Sequence, residues 1–454
     1  MKPIIFEFTE GNEYLSSHSG LGLIGALLSR TQLKKRLCEI ELSGCREPKI
    51  SHHDIVFSMT GLLCLGKPDF DAIEPFRSTP FFTQSLGIER CPASPTLRQR
   101  LDVVNNYFDR IIKDESATLI NRTAPQITPI TTSVGDYVPF DIDVSPFDNS
   151  RTKKEGVSRT YKGVDGYAPI FAYVGREGYL VNVELRVGKQ HCQNGTPEFF
   201  KESLLYAKKI AAAKKLLVRM DSGNDSLDNI KICCEEDVDW LIKRNIRREK
   251  PEEWLQLARD TGEKVCLRQG KTVWYGTTFR EVNGMKEPLR IVFAVTEVTI
   301  DSKGQSLLIP NIEVETYWTS LDVSPKEIIA LYHNHGECEQ FHSELKTDMD
   351  LERLPSERFA TNAVMLLLGM LAYNLLRLCG QESLREDNGN ITHKPDYRRK
   401  ASRRRLRTVM QDLIYMACRI THHAKKWFIS FGRYNPWSKV WLNIYLKFKE
   451  PVPV

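Results

Sequence analysis

The sequence predicts a multidomain α/β protein, and three observations predict it. Apolar residues at three- and four-residue spacing dominate residues 1–125. Short apolar runs bounded by turn residues then alternate with helical segments, and a second set of strands follows before helical spacing returns. With 454 residues and 41% hydrophobic composition, the chain is long enough for a sizeable core and more than one domain.

Taken in order, residues 25–42 and 96–118 carry helical periodicity. Residues 78–101 suggest two short helices around a turn at 88–94, with Ser94-Pro95-Thr96 capping the second and displaying Arg98, Gln99 and Arg100. That layout suits a helix-turn-helix reader of DNA, although ordinary helical pairs share it. A Pro- and Thr-rich linker, 123–132, closes this region. Residues 138–144, 167–174 and 179–187 read as strands, 199–215 as a helix, 216–220 as a buried strand and 238–243 as another. Three strands, a helix, a strand, a helix and a strand are the order of a ribonuclease H-like mixed sheet flanked by helices. Residues 249–320 read as a β-rich insertion, with strands at 264–269, 272–278, 289–296 and 313–319, and 325–380 returns to helix. The expected domains are 1–125 (helical, with the candidate DNA reader), 126–248 (first part of the α/β domain), 249–320 (β insertion), 321–380 (second part) and 381–454 (basic, helical).

The net charge of +6 hides an asymmetry. Residues 388–454 hold fifteen Lys or Arg against three Asp or Glu, a net of +12, which leaves −6 for the rest. The run from Tyr397 to Arg407, with Arg403, Arg404 and Arg405 at its centre, is an electrostatic footprint for a polyanion such as nucleic acid, or a solvated basic helix. Eleven Cys without regular spacing suit a reducing cytosol, and the N-terminus lacks a signal-peptide layout. The apolar stretch 363–376 is short for a bilayer and contains Asn374, so it reads as a buried helix. The letters GxGxxG at residues 20–25 follow no strand and precede no βαβ unit, which excludes a dinucleotide site.

Candidate chemistry lies in three blocks. In Phe140-Asp141-Ile142-Asp143-Val144-Ser145, strand alternation turns Phe140, Ile142 and Val144 inward and puts both acids on the other face, where two carboxylates call for a cation. Asp221 follows the apolar run 216–220 and precedes Ser222-Gly223, where open α/β sheets place their sites, or where an Asp caps a helix. In residues 332–346, Tyr332, His335, Glu339 and Lys346 recur at helical steps and share one face, able to hold a metal through the Glu and phosphate through the others, or simply solvated. His333, His335, Cys338 and His342 suggest zinc, but no second Cys/His cluster completes a tetrahedron.

These blocks resemble a family. The spacing Tyr-x2-Arg-x3-Glu-x6-Lys marks a large group of bacterial insertion-sequence transposases of the DDE type, and this chain matches it at Tyr332, Glu339 and Lys346 with His335 in place of the Arg. Asp-x-Asp-x-Ser and the later Arg-x-Asp-Ser-Gly resemble the same group, closest to the branch named for insertion sequence 1380, over residues 10–430. The resemblance implies a catalytic triad of Asp143, Asp221 and Glu339, with Asp143 preferred to Asp141 because Val144-Ser145 follows it, and Glu339 preferred to Glu337 and Glu344 by spacing. Hard carboxylate oxygens suit two Mg²⁺ ions, with Mn²⁺ as a substitute. Asp143 is expected to bridge the ions, Asp221 to bind one and Glu339 the other. Tyr332, His335 and Lys346, with Arg98, Arg100 and the tail arginines, are expected to contact double-stranded DNA: the element's terminal inverted repeats and its target. A homodimer on DNA in the bacterial cytoplasm is implied. Trp274 and Trp318 are candidates to stabilise a flipped base, or core residues. A non-catalytic DNA-binding derivative and a metal-dependent nuclease are the alternatives.

Overall fold

Strand alternation and burial lay out the centre of the molecule. In the computed structural model, which describes residues 8–41, 48–104, 107–123, 125–385, 388 and 401–450, Val138, Phe140 and Ile142 are fully buried on a ten-residue strand, Gly135–Val144. The chain divides into two units, one of Met1–Arg100 with Leu375–Val454 and one of Leu101–Asn374.

The Leu101–Asn374 unit is built on one mixed sheet. Its strands are β1 (Gly135–Val144), β2 (Ile170–Val174), β3 (Tyr179–Glu184), β4 (Leu216–Met220), β5 (Asp239–Arg244), β6 (Glu263–Arg268), β7 (Lys271–Arg280), β8 (Leu289–Ile300) and β9 (Ser306–Thr319). Their order is β3-β2-β1-β4-β5-β9-β8-β7-β6. β1, β2 and β3 pair antiparallel, whereas β4 runs parallel to β1 and to β5. Parallel neighbours need crossovers. Helix Thr196–Ala211 leads from β3 into β4, and helix Leu227–Glu235 joins β4 to β5.

Three expectations change here. Residues 249–320 form no separate module: β9 pairs antiparallel with β5 from Leu241↔Thr319 to Arg244↔Thr316, so the later strands extend the same sheet and cover what would be its open edge. They also begin with a helix, Pro251–Thr261, which buries Trp254, Leu255 and Ala258. The strand expected at 167–174 is broken, because Pro169 has no N–H for the ladder; Asp165–Tyr167 pairs instead with Phe147–Asp148 and Ser158–Arg159. The helix expected over 325–380 is interrupted. It runs as Pro325–His333, a 3₁₀ turn, Glu337–Ser343 and a π turn, Glu344–Asp348, before Phe359–Ser383. That last helix has the length and composition to cross a membrane, yet 94% of its most apolar window is buried within the protein.

The other unit holds helices Leu21–Leu28, Leu33–Cys38, His52–Cys64 and Pro80–Leu86, and most of Ser94–Val104. The pair of short helices expected around residues 88–94 is present. Ser94 does not cap through its hydroxyl, which hydrogen-bonds Asp71 instead. The tail is not wholly helical. Strands Cys418–His423 and Lys426–Phe431 form a hairpin, and Tyr14–Ser16 adds a third strand. Period-two burial explains this, since Cys418 and Ile420 are buried beside exposed Arg419 and Thr421, and they pack with Phe81. Residues 397–400 of the basic run lie outside the described residues.

Candidate active site

Two aspartates on β1 meet different surroundings. The parallel register sets Asp141 beside Arg219 of β4. Arg219 Nε donates to Asp141 Oδ1 at 2.6 Å and Nη2 donates to Oδ2 at 2.7 Å, a bidentate charge-assisted pair, while Nη1 donates to the Leu331 carbonyl at 2.9 Å. His335 Nδ1 lies 2.9 Å from Asp141 Oδ1. Burial pushes the Asp141 carboxyl up, but the charges of Arg219 and His335 outweigh it and hold the group well below the usual carboxylate range. Burial acts to lower His335, yet the Asp141 charge raises it above its ordinary value.

Asp143, two residues on, faces a cleft of about 760 Å³. Its Oδ1 accepts the Val144 N–H at 2.8 Å, and its Oδ2 lies 3.1 Å from His342 Nε2. Burial pushes this carboxyl up, and the His342 hydrogen bond and charge bring it below its ordinary value. The Tyr173 hydroxyl lies 3.3 Å from His342 Nδ1 and is suited to donate to it, which fixes the ring. Asp221, directly after β4, lines the same cleft. Its carboxyl is raised, first by burial and then by the negative charge of Asp143. The Asn224 side chain donates to Asp221 Oδ1 at 2.8 Å.

Glu339 and Glu352 are the other acids on the cleft wall, and Glu339 is exposed on helix Glu337–Ser343. Its rivals point elsewhere. Glu337 sits 3.9 Å from Arg176, and Glu344 is buried with the Tyr373 hydroxyl 3.4 Å away. Despite the change of helical pitch, Tyr332, His335 and Lys346 line this same cleft. Lys346 Nζ donates to the Pro146 carbonyl at 2.7 Å, and burial pushes its ammonium down. The Tyr332 phenol is raised by burial and by the charges of Asp221 and Asp143.

Sequence reasoning missed several members of this wall. Tyr161 and Lys162 line it, with the Tyr161 hydroxyl donating to the Val144 carbonyl at 3.0 Å. His342 stands out in the sequence only as a zinc candidate. The signal for Arg219 was present, as an arginine between Val218 and Met220 in an apolar strand. Asp141, His335 and Cys338 also bring ligand atoms within 4.8 Å of one another. That group fits a metal poorly. Arg219 occupies both Asp141 oxygens, the His335 Nδ1 faces the same carboxylate, and burial holds the Cys338 thiol protonated.

The other expected DNA contacts are dispersed. Arg98 is exposed, its guanidinium 5.4 Å from the Phe70 ring centroid. Arg100 is engaged internally, donating to the Ile50 carbonyl at 3.1 Å and to His52 Nδ1 at 2.7 Å. Burial and the Arg100 charge push His52 down to about 4, which leaves that nitrogen free to accept. Arg404 is buried against Asp412, Ser383 and the Trp437 ring, so it stabilises the fold locally. Arg403 is half-buried and Arg405 exposed. Trp274 and Trp318 are both buried and neither lines the cleft; Trp318 donates to Asp225 at 2.9 Å.

Fold and cleft together define an α/β protein whose parallel strands end at an open, carboxylate-lined cleft, an arrangement suited to divalent cations. The chain belongs to the family Transposase DDE domain group 1, whose model matches residues 2–450. No curated protein matches it. Among solved structures it is similar to a piggyBac transposase synaptic complex with hairpin DNA, with a TM-score of 0.40 and 13% identity over 88% of this chain and 80% of that one.

Proposed function

We infer that the chain is the transposase of an insertion sequence, cutting and rejoining DNA ends by phosphoryl transfer in the cleft of Asp143, Asp221 and Glu339, in a cut-and-paste cycle. One observation carries this reading: Asp143, Asp221 and Glu339, from well-separated segments, line one cleft together with Tyr332, His335 and Lys346, with Glu352 as a fourth acid on its wall. The order β3-β2-β1-β4-β5, antiparallel then parallel, supports a ribonuclease H-like core. The signature spacing supports the insertion sequence 1380 branch.

The donor set fits Mg²⁺, with Mn²⁺ as a substitute, because it offers hard oxygens and open space. Asp221 is raised partly by Asp143, so two negative groups lie close enough to repel, and a divalent cation relieves that repulsion. Asp143, Asp221 and Glu339 would hold the ions, with Asp143 shared between them. Bound ions would activate the attacking oxygen and stabilise the leaving one. The chain's own residues orient the reaction. His342 and the Val144 N–H fix the Asp143 carboxylate. Lys162 and Lys346 bring positive charge to the cleft wall, and the Asp141 charge raises His335 on the same wall above its ordinary value. These groups suit a phosphate backbone.

The partner is double-stranded DNA, as the element's terminal inverted repeats and as target. Holding two ends at once calls for a homodimer on DNA, in the bacterial cytoplasm. Excision of a marker flanked by those ends, in Mg²⁺, tests the reading with wild type against Glu339→Gln. Excision by the wild type alone is expected. Equal excision would move the third acid to Glu337 or Glu344. Absence of excision by either, with tight binding to the ends, would identify a DNA-binding protein without catalysis.

A further inference from the structure

The tail carries a surface that the acidic cleft does not use. Residues 413–449 hold seven Lys or Arg and no Asp or Glu. Within them, strands Cys418–His423 and Lys426–Phe431 pair antiparallel. One face of this hairpin packs inward through Cys418, Ile420 and Ile429. On the opposite face Arg419 stands across from Ser430, Thr421 from Phe428 and His423 from Lys426. Every side chain from residue 421 to 428 is exposed. Strand Lys426–Phe431 is the outer strand of its three-stranded sheet.

The tip adds a second, independent observation. Ala424 and Lys425 form a two-residue turn with φ of 50° and 60°. Both lie in the left-handed region, where Asn-Gly is the relaxed choice. The chain instead keeps a lysine at a strained tip, followed by another. Among the described residues, neither Lys425 nor Lys426 has an ion-pair partner, while Arg419 faces Glu13 at 3.5 Å. Strain retained at an exposed position points to a use for the side chain placed there.

We propose that this hairpin is a DNA-contacting element separate from the catalytic cleft, laying its tip and exposed face against a duplex with Lys425 and Lys426 on phosphates. A two-stranded ribbon fits a major groove about 12 Å wide. The charge has one sign, opposite to the backbone of DNA. Phe428, 48% exposed and on the same face as Lys426, supplies apolar contact beside the lysines. The inference rests on the transposase reading, which supplies duplex DNA as the partner. It also places the tail's DNA contact beyond the arginine run, where Arg404 is buried.

The test uses the full chain and a fluorescent duplex, with affinity measured against salt concentration. Lys425→Gln/Lys426→Gln is expected to flatten the slope of log K against log salt by about 2, at roughly 0.9 per phosphate contact. Lys264→Gln/Lys303→Gln removes the same charge elsewhere and is expected to leave the slope unchanged. Ala424→Asn/Lys425→Gly is expected to raise the melting temperature by relaxing the turn, yet flatten the slope by about 1, a combination that misfolding cannot produce. An unchanged slope in the hairpin variants, or equal flattening in the control pair, overturns the proposal. Loss of binding to anionic vesicles with an intact duplex slope overturns it in favour of a membrane surface. A wild type that binds no duplex overturns the transposase reading itself, whereas tight binding with unchanged slopes overturns the hairpin alone.

Discussion

The buried pocket around Asp141 and the open cleft around Asp143 are two residues apart on one strand, and the protein surrounds the two acids differently. Asp141 is 2% exposed and meets a bidentate guanidinium and a histidine. Asp143 meets one histidine, one backbone N–H and the raised carboxyl of Asp221 across open space. A buried charge that the fold itself neutralises belongs to the fold. The acid whose carboxyl stays raised beside the open cleft is Asp221, and on the proposed reading that cleft receives a divalent cation. On that reading the cation expected for the alternating acids of β1 falls to Asp143 alone, because Arg219 already neutralises Asp141.

The sharpest way to break this contrast is to neutralise each acid in turn. Asp143→Asn should lower Mg²⁺-dependent strand cleavage by about 10³-fold or more, on the order of 4 kcal/mol of barrier, with little loss of stability. Asp141→Asn should do the reverse in kind, because it strands the buried Arg219 charge. Breaking a buried pair from one side costs about 3–5 kcal/mol, which urea unfolding would register. If both variants lost stability equally and kept equal cleavage, the division between pocket and cleft would be wrong.

The cleft was legible in sequence because its signals are local. Strand alternation brings Asp141 and Asp143 to one face, and the family resemblance chooses Asp143; a carboxylate after an apolar run marks Asp221, and helical steps align Tyr332, His335, Glu339 and Lys346. The last of these survived a 3₁₀ turn and a π turn within the helix, since the four residues still share one wall. The pocket was not legible. Arg219 meets Asp141 across 78 residues of sequence through a parallel register that no local pattern encodes. The extension of the sheet through β5 and β9 was hidden for the same reason. In the tail, charge drowned the period-two alternation of Cys418 and Ile420, so a hairpin read as a basic helix.

A smaller effect should come from the groups that position Asp143. His342 touches the carboxylate rather than the reacting atoms, so His342→Gln should raise the Mg²⁺ concentration needed for half-maximal cleavage by about 10- to 100-fold, with the rate at saturating metal changing less. Tyr173→Phe, which removes only the hydroxyl behind His342, should shift the same curve less. A drop in rate at every metal concentration with no shift of the curve would remove His342 from this role.

The smallest expected effect, and the one that best separates pocket from cleft, lies in the pH dependence of stability without metal. Asp221 has a folded-state pKa raised by burial and by Asp143. A carboxyl raised on folding favours its protonated form, so its charged form opposes folding once the pH rises through that raised value. Asp221→Asn should therefore raise the melting temperature of metal-free protein at neutral pH, and the gain should fade as the pH falls towards about 4, the unfolded value. Asp141 has the opposite sign: its folded pKa is depressed, so its contribution is present above the unfolded value and is lost as the pH falls through the folded one. Mg²⁺ closes the comparison. By mass action it should stabilise the wild type and stabilise Asp221→Asn much less. Equal stabilisation of both proteins by Mg²⁺ would show that the ion binds elsewhere, and the raised carboxyl of Asp221 would then be a property of its burial alone.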